Sequence, residues 1–156
     1  MFRELTRKKQ QLSDTDCKAL LHAEKRGVLA LLGDNDYPYA LPINFFYDEN
    51  ENRLYFHSGK KGHKLDAIQA HSKASFCVYD QGFHKDGHWS LNIQSVILFG
   101  KITVLDQLPE DKIIALCHKF TNDEAYIQNE IAHFAANTTV FVLDIEHMTG
   151  KLVNEA

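Results

Sequence analysis

The sequence predicts an α+β fold, mainly antiparallel β, and three observations carry that expectation. Apolar segments of strand length are joined across compact turn signals: residues 28–32 and 39–47 flank Gly33-Asp34-Asn35-Asp36, and residues 39–47 and 53–57 flank Asp48-Glu49-Asn50-Glu51-Asn52. Helical periodicity is confined to a few stretches, whereas a parallel doubly wound sheet would alternate strand and helix regularly. The chain is 156 residues long with three prolines and eight glycines, has no repeat and no linker-like stretch, and so reads as one domain over residues 1–156.

Each element has its own signal. Ser13 is a helix N-cap before Cys17, Leu20, Leu21 and Ala23 at helical spacing, and that helix ends near Arg26 and Gly27. Strands follow at 28–32, 39–47 and 53–57. Leu65 and Ile68 then begin a helical stripe, so a helix is expected from Lys60 to about Gln69. A strand at 74–79, a loop at 81–88 and a long strand at 95–105 come next. Gly100 in the middle of that strand predicts a bend or bulge. One or two helices fill 109–133, and a last strand is expected at 138–146. Val96, Ile97, Leu98 and Phe99 put apolar side chains on both faces of their strand. A half-exposed antiparallel strand alternates instead. One face is core and the other needs a cover, for which a two-fold partner is preferred over a helix of the same chain.

Composition excludes several function classes. The net charge of −4, with no second basic run behind the first, argues against nucleic acid. No apolar run is long enough to span a membrane. Residues 1–11 are basic and polar without the apolar core of a signal peptide, and Cys17, Cys77 and Cys117 do not form an even framework; a cytoplasmic location is expected. The close pairs His84/His88 and Cys117/His118 are the only zinc-like spacings. The first crosses Gly87 in a polar loop, and adjacent helical residues diverge by about 100°, so neither is assigned a metal. No nucleophile elbow or triad context is present.

The most informative stretch is Tyr55-Phe56-His57-Ser58-Gly59-Lys60-Lys61-Gly62-His63-Lys64-Leu65. It places three lysines at the start of a helix, the end whose partial charge is already positive. No carboxylate lies between Asn52 and Leu65 to offset them. An anion resolves the conflict: free N–H groups, small residues and ammonium groups together make a phosphate cradle. The alternative is a solvated lysine-rich turn. The glycine spacing fits neither a P-loop nor a dinucleotide fingerprint.

Other candidates are weaker. Pro42 inside a strand removes a ladder donor, so Pro42-Ile43-Asn44-Phe45 belongs at an edge or a break in the sheet, beside exposed backbone groups. An ordinary edge strand satisfies the same signal. His57, at a strand end next to the cradle, reads on its own first as a hydrogen-bonded structural residue. The loop at 82–89 carries His84, His88 and Trp89, either as a polar surface loop or as a substrate-side element with an aromatic able to stack.

Taken together, Tyr37-Pro38-Tyr39 leading to Leu41-Pro42-Ile43-Asn44-Phe45, the lysine-rich stretch, and Ser95-Val96-Ile97-Leu98-Phe99-Gly100 resemble the FMN-binding split-barrel superfamily of pyridoxamine 5'-phosphate oxidase-like proteins, closest to its nitroimidazole-resistance branch. The resemblance implies a split β-barrel with peripheral helices and a homodimer that holds FMN at the subunit interface. It implies that Pro42, Ile43, Asn44 and Phe45 lie along the flavin ring. His57, Ser58, Lys60, Lys61 and Lys64 would take the phosphate, and Ser95 would reach a flavin of the dimer. Lys60-Lys61 stands where the oxidases carry Arg-Lys, a point charge in place of a fork. The C-terminal arginine and histidine elements that hold vitamin B6 substrates are not found, so that reaction is not expected. His57 best matches a histidine linked to nitro-group reduction in the nearer branch. The function implied is an FMN-dependent oxidoreductase acting on a small molecule, with NAD(P)H as a candidate donor. The alternatives are a non-catalytic flavin carrier or redox sensor and, more weakly, a haem-handling protein.

Overall fold

The computed structural model describes residues 1–156. Eight strands form one antiparallel sheet: β1 (Arg26–Leu32), β2 (Pro38–Asn44), β3 (Phe46–Asp48), β4 (Arg53–Gly59), β5 (Lys73–Tyr79), β6 (Phe83–His84), β7 (Leu91–Val104) and β8 (Thr138–Glu155). Four helices accompany it: α1 (Asp14–Ala23), α2 (His63–Ala70), α3 (Glu110–His118) and α4 (Glu124–Phe134). The order across the sheet is β2-β1-β5-β7-β8-β4-β3, with β6 paired to one end of β7. Strands β2 and β3 follow each other in the chain yet form opposite edges, so the sheet curls into a split barrel whose seam is the single residue between them.

Local chemistry accounts for most boundaries. The Ser13 hydroxyl accepts from the Asp16 amide and starts α1, which buries Cys17, Leu20 and Leu21 while Ala23 stays exposed. Asn35 and Asp36 both take positive φ in the β1–β2 turn, a conformation their short polar side chains tolerate. Pro42 sits on an edge strand, where its missing donor costs no ladder bond. The expected strand at 39–47 divides at Phe45 into β2 and β3. The helix expected from Lys60 begins only at His63, because Gly62 at φ 130° cannot continue a helical turn. The loop at 81–88 contains the two-residue β6, and the last strand runs on to Glu155, stitched along β7 from Leu91↔Glu155 to Val104↔Phe141.

Phe45, at the seam, is fully buried. Its ring meets Phe76 edge-on at 5.0 Å, and Phe76 packs in turn on Phe56, which stacks on Phe141. These rings centre a core of 20 buried residues that includes Leu21, Leu29, Leu54 and Leu98. The Phe45 amide donates to the Lys25 carbonyl at 3.3 Å. Its carbonyl accepts from Lys119, which follows α3 and also donates to the Glu24 carbonyl.

On β7, Val96 and Leu98 are fully buried, whereas Ile97 and Phe99 remain 39% and 40% exposed. The second apolar face is therefore on the outside of the sheet. Tyr79 is also exposed at the neighbouring end of β5. The chain covers this face only in part, by stacking Phe2 on His147 at 4.8 Å and on Phe99 at 5.8 Å. The bend expected at Gly100 is a bulge: Phe99 pairs with His147 and Gly100 with Ile145, leaving Glu146 over. A Cβ at Gly100 would lie 2.0 Å from the Asp144 carbonyl oxygen, on the strand that ties β7 to β8. Gly100→Ala is expected to lower stability by about 3 kcal/mol through forced backbone displacement, read as a reduced urea midpoint. An unchanged midpoint would contradict this packing.

Candidate functional site

The lysine-rich stretch leaves the sheet at the end of β4, where His57, Ser58 and Gly59 pair with Val140, Thr139 and Thr138 of β8. Residues 60–62 then lead into α2, whose N-cap is Gly62 with no side-chain cap. His63 anchors this turn to the barrel: its Nε2 accepts from the Asp34 amide at 3.2 Å, and its ring stacks on Tyr39 at 4.1 Å. Lys60 and Lys61 are exposed, and Lys64 is half-buried with its ammonium 6.0 Å from the Phe141 ring centroid. Asp66 is the acidic residue of the helix's first turn, yet none of the three lysines makes an ion pair. Burial pushes the Lys64 ammonium below its ordinary value, because protein atoms replace water without supplying a counter-charge.

His57 is the meeting point of two clefts. One, of about 400 Å³, is lined by Arg26, Pro42, Ile43 and Asn44 together with His57. Arg26 lies across the end of β2, its Nε donating to Asn44 Oδ1 at 2.9 Å. The other, of about 480 Å³, opens between the end of β4 and the helices α3 and α4. His57, Cys117, Phe120, Tyr126, Glu130 and Phe134 are among its lining residues. The His57 ring has solvent access through these clefts and no hydrogen-bond partner within the chain, so it is not the tied-down structural histidine its position suggests. The crowding of its ring by protein lowers its pKa below 6.5, and the Lys64 charge adds to the effect. Both effects favour the neutral form of the imidazole.

Pro42, Ile43, Asn44, His57, Ser58 and Lys64 thus gather at one end of the barrel, with Lys60 and Lys61 on the approach to it. Phe45 is held inside the seam and lines neither cleft. Ser95 lies elsewhere in the sheet: β1 and β5 stand between β2 and β7, a span of about 14 Å at ordinary strand spacing. Trp89, 80% exposed, sits beside β6 on the loop leading into β7 and also lines neither cleft. The Nδ1 of His84 in that loop donates to the Ser90 carbonyl at 3.1 Å.

Two groups of lining residues escape the sequence reading. Arg26 reads there only as a helix end, although a cation just ahead of the strand expected at 28–32 could have marked it. The α3–α4 residues show helical periodicity, but periodicity does not say that their apolar stripe faces a cleft. Burial and the nearby Glu130 charge both push the Cys117 thiol up, which disfavours its thiolate. No group of three or more His, Cys, Asp or Glu side chains converges as metal ligands would. The site combines a lysine-rich rim, an edge strand with unpaired backbone groups, an imidazole and an apolar recess.

Solved structures share this architecture. A provisionally assigned 5-nitroimidazole antibiotic resistance protein from Bacteroides thetaiotaomicron superposes with a TM-score of 0.76 at 18% identity, over 92% of this chain and 87% of that one. A protein from Mesorhizobium loti described as FAD-binding gives 0.65 at 24% identity, over 92% and 97%. A protein from Mycobacterium smegmatis described as binding FAD and haem gives 0.69 at 22% identity, over 94% and 74%. At these identities the likeness is one of fold. Comparison with curated proteins found no significant match. The family model described as pyridoxamine 5'-phosphate oxidase matches residues 13–152. That match runs from the cap of α1 into the last strand and takes in the seam, the lysine turn and both clefts, so the chain belongs to the pyridoxamine 5'-phosphate oxidase family.

Proposed function

We propose that this chain is an FMN-binding flavoprotein and that it acts as an oxidoreductase on a small molecule. The observation that carries the reading is Lys64: a half-buried ammonium without a counter-ion, beside an uncapped helix N-terminus and two further unpaired lysines. A phosphate satisfies all of these groups at once. Ser58, Lys60, Lys61 and Lys64 hold it in this reading. Pro42, Ile43 and Asn44 offer backbone groups to the polar edge of the flavin, with Phe45 fixing the end of their strand. Two of the solved relatives above are described as FAD-binding, but a single phosphate cradle favours the mononucleotide here. The flavin supplies the electron-transfer chemistry; the protein orients it and excludes water. His57, whose neutral form its surroundings favour, donates its N–H or moves a proton at an accepting atom in this reading.

Assembly belongs to the same proposal. Ser95 and Trp89 lie away from His57 within one protomer, and the outward face of Tyr79, Ile97 and Phe99 is apolar. A two-fold homodimer packed through that face covers it and lets Ser95 and Trp89 act at a partner's flavin. We place the protein in the cytoplasm, a location that accords with three unpaired cysteines; no helix is long and apolar enough to cross a membrane.

Titration is expected to show FMN bound at micromolar concentration with its fluorescence quenched, and FAD bound less tightly. Loss of two charge-assisted contacts in the Lys60→Ala/Lys61→Ala protein should weaken FMN by about 100-fold or more. Unaltered affinity would make those lysines solvated surface, and no FMN binding at tens of micromolar would remove the proposal. Anaerobic NADH or NADPH should bleach the bound flavin within seconds. His57→Ala should keep FMN while slowing turnover of nitroaromatic and quinone acceptors at least about tenfold. A flavin that no donor bleaches would instead mark a carrier or sensor. Ile97→Asp, which places a charge on the outward face, should give a monomer in sedimentation and weaker FMN binding. A wild-type monomer that still binds FMN would rule out the shared site.

A further inference from the structure

The flavin reading leaves Glu130 unexplained. On α4, Tyr126, Glu130 and Phe134 recur at four-residue spacing and so share a face with Ile127 and Ile131. In an ordinary amphipathic helix that face would enter the core. Here only Ile127 is buried, while Tyr126 and Phe134 stay 55% and 57% exposed along the 480 Å³ cleft. Exposed aromatics grouped round a concave, mostly apolar recess mark a binding site more often than solvated surface. In the middle of this stripe sits a half-buried carboxylate. Asp48, Glu49, Glu51 and Asp144 all pair with cations, but Glu130 pairs with none. Its charge is felt at Cys117 across the cleft. Lys25 and Arg26 lie near the Phe120 ring at 5.5 and 6.0 Å, whereas no cation lies over Tyr126 or Phe134, and Phe134 meets only the His133 ring, tilted at 6.4 Å.

We propose that the cleft between β4, α3 and α4 binds a small aromatic cation, its ring among Tyr126, Ile131 and Phe134 and its charge at Glu130. A cation pairs the stranded carboxylate and gains from the faces of the two rings. An anion of the same shape meets Glu130 unfavourably, and a neutral ring leaves the carboxylate as it was. The volume suits one or two fused rings with a substituent. Because His57 lines this cleft as well as the one along Pro42, Ile43 and Asn44, the ligand lies on the substrate side of the proposed flavin. Only that role rests on the flavin reading; the binding itself needs no flavin.

The test is calorimetric titration of the full chain, as purified, with three probes of one shape: 1-methylquinolinium, quinoline and 1-naphthoate at pH 7.5. The expected result is 1-methylquinolinium binding at least about tenfold more tightly than either of the others. Glu130→Gln should bring it down to the affinity of quinoline, leave quinoline within about twofold, and leave FMN affinity unchanged. Tyr126→Ala should weaken both rings. Equal affinities in the wild type, a preference that survives Glu130→Gln, or no binding of the cation at millimolar concentration would overturn the assignment. FMN titrated in parallel separates the two readings. A cation preference without FMN binding supports the cleft and removes its role beside a flavin, and FMN binding without the preference removes the cleft alone.

Discussion

The Lys119 ammonium lies at the break between β2 and β3, donating to the carbonyls of Glu24 and Phe45 and sitting 3.9 Å from the centroid of the Phe45 ring. Where a strand stops and its successor crosses to the opposite edge of the sheet, backbone carbonyls lose their ladder partners. Left unpaired under a core aromatic, each would carry a desolvation cost of about 1–3 kcal/mol. Lys119 satisfies two of them and draws the end of α3 against the seam. Burial lowers its pKa to about 8, with the nearby Glu24 charge opposing the shift. The folded protein therefore holds this proton less tightly than the unfolded chain. This group's contribution to stability rises with pH from about 8 towards 10.5, and its charge at neutral pH is kept for the sake of the carbonyls. Both clefts inherit their shape from this contact, since β2 walls one, α3 walls the other, and the two share His57.

Charge pairing elsewhere sets off what is unpaired at the site. On α3, Lys112 bridges Asp48 and Glu51, and Tyr55 donates to Glu51; the Lys112 hydrogen bond holds the Asp48 carboxyl below its usual range. Glu49 binds both Lys18 and His22, and Arg53 binds Asp144. These pairs are partly solvated and individually modest. They give these half-buried ions partners, which Glu24, Lys64 and Glu130 lack. Lys64 and Glu130 are the half-buried charges bordering the two sides of the His57 region that lack such partners. They are opposite in sign, which fits a phosphate-bearing cofactor on one side and a cationic small molecule on the other.

Much of the barrel was legible because turn chemistry and β periodicity are local. Ser13 caps α1 as its side chain dictates, Pro42 falls on an edge strand, and Gly100 marks the bulge. The errors came where a longer-range constraint decides. Residues 39–47 are apolar but for Asn44 and read as one strand, and only closure of the barrel makes the chain change edges at Phe45. The true start of α2 depends on the positive φ of Gly62, while Lys60 and Lys61 are good helix formers by composition. The length of β8 comes from pairing with all of β7, which no window of a dozen residues contains. At the site, the lysine turn, Pro42, Asn44 and His57 were readable because strand ends and turns are local. Arg26 and the α4 stripe were not, since their role depends on what a folded sheet places opposite them.

The separation of the predicted site residues follows from the same geometry. In a curled antiparallel sheet, residues at one end of neighbouring strands share a rim, and each further strand moves a side chain about 4.8 Å round it. Asn44 is opposite Arg26, one strand away, and so shares a cleft with it; Ser95 is two strands further on, opposite Tyr79. No rotamer of a serine spans that distance. In the proposed homodimer, a second copy docked on the outward face of β5 and β7 is what Ser95 faces. The apolar exposure of Ile97 and Phe99 lies on the strand that carries Ser95, so the face that the proposed dimer covers is also the one that presents this serine. In that arrangement cofactor binding and dimerisation stabilise each other, because each completes a surface the other leaves open.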